Sequence, residues 1–68
     1  MISEIVGQNV KKKRKESGFS QEQLALAAGI SPTVLRAFER GDGNPTVKTL
    51  GKLAEQLGTT VDDLTKKG

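Results

Sequence analysis

The sequence predicts an all-α fold, a compact domain of five short helices spanning residues 1–68. Three observations predict it. Apolar residues recur three and four positions apart in five successive segments, the spacing of one helix face. Strand-like alternation is found nowhere. The segment ends are punctuated by glycines and by Ser or Thr residues placed to cap the helix that follows. No low-complexity linker divides the chain, so one domain is expected.

In the first segment Val6, Val10 and Arg14 fall on one line, which Ile2 extends toward the N-terminus. In the second, Leu24, Ala25 and Ala28 share a face, and in the third Leu35 and Phe38 do. The fourth carries the cleanest stripe, Leu50, Leu53, Ala54 and Leu57, and a short fifth holds Val61 and Leu64. The stretches "GFSQEQL" (18–24) and "GISPTVL" (29–35) repeat one pattern. A glycine closes the previous helix, an apolar residue and a serine cap follow, and a leucine stands four positions beyond the cap. The apolar residue packs on that leucine as a hydrophobic staple, Phe19 with Leu24 and Ile30 with Leu35, and Gln23 completes a capping box with Ser20. Pro32 fills the first position of the third helix, expected over 32–40, and Gly41 follows its last turn. Thr46 caps the fourth helix after the turn "GDGNP", Gly58 ends it, and Thr60 caps the fifth. Asp62 and Asp63 then favour the first turn of that last helix.

Composition excludes several function classes. A chain of 68 residues buries a small core, and many domains of that size depend on disulfides or metals. This one has no Cys and no His, so neither a disulfide nor a metal site of the usual kind is expected, and no cofactor. With Tyr absent as well, the usual catalytic bases and nucleophiles are missing, and no glycine-rich phosphate loop is present. Ser20 and Ser31 are explained as caps, so an enzyme is not expected. The aromatic residues are Phe19 and Phe38 alone, both in the core pattern, which leaves no stacking platform for single-stranded nucleic acid. No apolar run approaches membrane-spanning length, and "MISEIVGQNV" lacks the layout of a signal peptide. A cytoplasmic chain without a membrane partner is the expectation.

The net charge is +3, and its placement matters more than its size. Residues 1–20 hold five bases and two acids, whereas residues 21–68 hold six of each. The excess is the run "KKKRK" at 11–15. Two readings of it stand: a solvated helix end with favourable dipole placement, or attraction to an anionic partner. A five-residue run winds past a full helical turn, so it does not all face one partner.

Only about two or three residues separate the second helix from the third, with Gly29 at the bend. Such a connection holds two short helices at a steep angle, the helix-turn-helix arrangement whose second helix can enter a DNA major groove. Here "SQEQLA", the "AG" plus apolar plus "S" turn, "ERG", "NPT" and "KLAEQLG" together resemble the helix-turn-helix domain of the lambdoid phage repressor and Cro family, which includes xenobiotic-response-type regulators. The resemblance covers about Val6 to Leu64. It implies a phage-repressor-like five-helix domain with the third helix as recognition helix, in a bacterial or phage-encoded protein associated with the nucleoid.

It also implies roles residue by residue. Arg14, late in the first helix, pairs with Glu39, late in the third; Arg14 lies on the inward line of Val6 and Val10, where an unpaired charge is costly. Gln21 matches a backbone-contacting glutamine at the start of the second helix. Ser31 and Thr46 match phosphate-facing caps, and helix N-termini suit anions physically. Thr33, Arg36 and Ala37 match outward positions that read base edges. Arg40, a turn after Arg36, is expected on the DNA backbone. The chain departs from the family at Val34 and Ala37, where polar or aromatic residues are common, and at Asp42-Gly43, where the turn is often basic. Base reading then rests on Arg36 and Thr33, with an apolar contact from Ala37 or Val34 to a thymine methyl.

The expected function is sequence-specific binding of double-stranded DNA by a transcriptional regulator acting as a weak homodimer on a palindromic operator. The dimer surface is expected at the end of the fourth helix and on the fifth. The competing reading is a protein-interaction module of the same fold that has lost strong base reading, which Val34, Ala37 and Asp42 favour.

Overall fold

The computed structural model describes residues 2–67, with side chains from 4 to 67. Five helices follow in order: α1 (Ile2–Glu16), α2 (Gln21–Ala28), α3 (Pro32–Glu39), α4 (Val47–Leu57) and α5 (Val61–Thr65). Among the described residues there is no strand. The helix count and class match the expectation, and the third helix stops one residue early, with Arg40 as its C-cap.

The caps form as the spacing predicts. Ser20 Oγ accepts from Gln23 N at 3.0 Å while Gln23 Oε1 accepts from Ser20 N at 2.9 Å, a complete capping box. Ser31, Thr46 and Thr60 each accept from backbone N–H groups of the helix that follows. Between α2 and α3 lie Gly29, Ile30 and Ser31. Gly29 takes φ 71°, a conformation that a residue with a side chain rarely adopts. Its N–H and that of Ile30 reach back to Leu26 and Ala25 carbonyls at 3.2 and 2.9 Å, closing the end of α2 and turning the chain into α3. The same pair of backward bonds closes α1, α3 and α4.

The inward faces meet in one cluster: Val6 and Val10 from α1, Leu24, Ala25 and Ala28 from α2, Leu35 and Phe38 from α3, Leu50, Leu53, Ala54 and Leu57 from α4, and Leu64 from α5. Phe19, Ile30 and Val61 pack against it from the loops and the start of α5. Ile2, expected to extend the α1 line, lies outside the residues whose side chains are described. α1 packs on α3, α4 and α5, while α2 packs on α3 and α4. Burying the apolar stripe of each helix against the others gives short helices a stability that none has alone.

Two contacts of α1 with distant segments were not foreseen. Gly7 lies buried where α1 crosses α3; a Cβ there would stand 2.0 Å from the Phe38 carbonyl oxygen. Only a residue without a side chain permits that approach. Asn9 Nδ2 donates to the carbonyls of Leu64 at 2.9 Å and Lys66 at 2.8 Å, satisfying the open end of α5. A five-residue helix is held to the body by this clasp and by Leu64, which is fully buried.

Candidate nucleic-acid interface

The outer surface of α3 carries Thr33, Arg36, Ala37 and Arg40 at successive intervals of three, one and three, a single helical line opposite Leu35 and Phe38. Thr33 and Arg40 are exposed; Arg36 and Ala37 are half-buried. Val34 is 41% exposed beside them, so an apolar edge borders the line. The residues expected to read bases therefore do share one face.

Arg36 does not stand free on that face. Its Nη1 lies 3.3 Å from Glu22 Oε2, and its Nη2 donates to Thr33 Oγ1 at 3.5 Å. Glu22 is in the first turn of α2, so the pair bridges both helices of the helix-turn-helix unit. Arg40 likewise meets a carboxylate, Asp42 Oδ2 at 3.2 Å from Nε. Both pairs are solvent-exposed, which makes them weak and exchangeable. The acidic Asp42 thus covers the charge that Arg40 would offer a phosphate.

Beneath this surface lies the Arg14–Glu39 pair. Arg14 Nε meets Glu39 Oε2 at 2.6 Å and Nη2 meets Oε1 at 3.0 Å, a two-bond fork between side chains only 10% and 4% exposed. Nη1 donates to the Phe19 carbonyl at 2.9 Å. Every polar side-chain atom buried among the described residues has a partner. The expected pair is present.

Gln21 stands at the start of α2, where it was expected, and its Nε2 donates one bond to Glu39 Oε1 at 3.1 Å. This ties the first turn of α2 to the end of α3, and the partner Glu39 sits eighteen positions away, beyond any local signal. Ser31 and Thr46 are exposed caps whose hydroxyl oxygens accept from backbone, Ser31 from Thr33 and Val34 and Thr46 from Thr49. Of the residues bordering α3, sequence reasoning missed the Glu22 and Asp42 pairings with its arginines.

The surface expected to hold a second copy is mostly polar. Leu57 and Leu64 are taken up by the core, and Val61 is half-buried against it. The large apolar side chains exposed among the described residues are Leu26, Val34 and Val47, none of them on α5 or the end of α4. Among the described residues no group of His, Cys, Asp or Glu able to hold a metal ion is formed, and no helix is long and apolar enough to cross a membrane.

The family profile described as Helix-turn-helix matches residues 10–64. An uncharacterised HTH-type transcriptional regulator, y4dJ of Sinorhizobium fredii, is 42% identical over 59 residues, covering 87% of this chain and 77% of that protein. The control protein C.SmaI of Serratia marcescens is 41% identical over 68 residues, covering 98% and 81%. Among solved structures, the biofilm master regulator SinR in complex with DNA superposes with a TM-score of 0.86 at 35% identity, over 90% of this chain and 98% of that one. SinR of Bacillus subtilis is a longer protein, of which this chain spans 55%. With the α2–turn–α3 unit and its outward-facing α3, the chain belongs to the Helix-turn-helix family of DNA-binding transcriptional regulators.

Proposed function

We propose that this protein binds double-stranded DNA sequence-specifically and regulates transcription by laying α3 in the major groove of an operator. The observation that carries this reading is the line Thr33, Arg36, Ala37, Arg40 on the outer face of α3, which the core does not use. Arg36 has the fork needed for a two-bond contact with guanine O6 and N7. Thr33 meets a neighbouring base edge, and Ala37 with Val34 packs on a thymine methyl. Ser31, Thr46, Gln21 and Arg40 meet the DNA backbone, Gln21 through its backbone N–H at the start of α2, since its amide is held by Glu39. The similar SinR forms a complex with DNA, which supports DNA as the partner of this fold.

One α3 helix reads only a few base pairs. Useful selectivity calls for two copies on a palindromic site, and the polar surface at α5 and the end of α4 fits a weak homodimer that DNA strengthens. Residues 1–68 act as one such domain, in the cytoplasm at the nucleoid and without catalytic activity. A protein-interaction role in place of base reading is favoured by one observation, the covering of Arg40 by Asp42.

Selection from a pool of random duplexes by gel shift tests the reading. A shared, two-fold symmetric motif containing guanine is expected among the retained fragments. Retention without any common sequence would favour the protein-interaction role.

A further inference from the structure

Arg36 is held from another helix by an acid that packing does not require. The Glu22 and Arg36 side chains are 68% and 43% exposed, so their contact at 3.3 Å adds little to folding. Their contact nevertheless joins the first turn of α2 to α3. Arg14, Arg36 and Arg40 each meet a carboxylate. The pairing of Arg14 is explained by burial, but that of Arg36 is not.

A guanidinium carries five N–H donors in a planar fork. Glu22 and Thr33 take one from each terminal nitrogen. Three remain, enough for the two bonds to a guanine edge. What the pairing removes is net charge. Non-specific binding to DNA comes almost wholly from charge and counterion release, whereas base readout comes from directed hydrogen bonds. A neutral Glu22–Arg36 pair therefore gains little from a phosphate and keeps its gain from guanine.

We propose that Glu22 is a specificity-determining residue, which cancels the charge of Arg36 toward phosphate while leaving its fork free for a guanine edge. The proposal rests on Arg36 as the base reader. Its effect is to hold down binding to random DNA relative to the operator.

The test measures anisotropy of labelled duplexes, the selected operator and a scrambled one, over a series of salt concentrations. The proteins are the parent, Glu22→Gln, and Glu55→Gln as a control for bulk charge on an exposed site of α4. Glu22→Gln is expected to tighten binding to scrambled DNA severalfold and to steepen its salt slope by about 0.9. The operator should gain less, so the ratio of operator to scrambled affinity falls. Glu55→Gln should move both duplexes alike. A Glu22→Gln protein that leaves the ratio unchanged, or raises it, overturns the proposal. So does a Glu22→Gln effect on the ratio that survives in an Arg36→Ala background. If Arg36→Ala alone leaves base preference intact, the base-reading role of Arg36 fails, and this inference with it. If Arg36→Ala relaxes preference while Glu22→Gln leaves the ratio unchanged, only the role of Glu22 fails.

Discussion

Arg14 grips both carboxylate oxygens of Glu39, at 2.6 and 3.0 Å, across the crossing of α1 and α3. The carboxylate accepts a third bond from Gln21 on α2, so one buried group ties three helices together. Neither charge can be left alone there. Taking a guanidinium out of water without a partner costs far more than the pair itself contributes.

Glu39→Ala should therefore cost about 3–5 kcal/mol, close to the whole stability of a domain this small. The protein should be largely unfolded at room temperature by circular dichroism. Melting at the parent temperature would mean that the pair is open to water in solution.

Gly7→Ala tests the closest approach in the core. The added carbon would meet the Phe38 carbonyl oxygen, a backbone atom that cannot swing aside, so α1 and α3 must separate. Overpacking of this kind costs about 3 kcal/mol or more. Gly51→Ala, inside α4 with nothing near its added carbon, should be neutral or stabilising, because alanine favours helix over glycine. Thermal melts of the two variants should move in opposite directions.

Much of this fold is written in local spacing. The caps at Ser20, Ser31, Thr46 and Thr60 act within three residues, so a reader of the chain sees both partners at once. Arg14 was legible because a charge on an apolar line demands a buried partner. The pairings of Asn9 with the end of α5, Gln21 with Glu39 and Glu22 with Arg36 join positions that come together only after the helices pack. Gly7 left a faint signal, a glycine inside a helical pattern, where it lowers helix propensity and often marks a close crossing. On α3 the outward line was legible from its period, but the acids that cover its arginines were not. Glu22 sits fourteen residues before Arg36, and Asp42 lies beyond the helix end in a turn whose path the sequence does not dictate.

Assembly gives a further prediction. With its large apolar side chains at α5 and the α4 end drawn into the core, the chain should be mostly monomeric in dilute solution. Two half-sites about 34–36 Å apart on one DNA face would bring two copies together. Sedimentation should show two chains per selected operator. One chain per site at every concentration would exclude the dimer.

The two arginines of α3 should fail in different ways. Arg36 lies mid-helix on the outer line, whereas Arg40 is the C-cap residue, with its charge turned to Asp42. With Arg36 as the proposed base reader, Arg36→Ala should cost roughly 1–3 kcal/mol on the best site and relax preference at one base position. With Arg40 as the proposed phosphate contact, Arg40→Ala should weaken all sequences alike and flatten the salt dependence, because fewer counterions are released. Asp42→Asn should do the reverse, strengthening all sequences alike by uncovering Arg40. Ala37→Gln adds a longer polar side chain on the same line and should change which base is preferred beside the Arg36 position. Binding to a panel of single-base operator variants at two salt concentrations separates these outcomes. If Arg36→Ala and Arg40→Ala give one profile across the panel, Arg36 is not reading a base, and the outer face of α3 belongs to a protein partner.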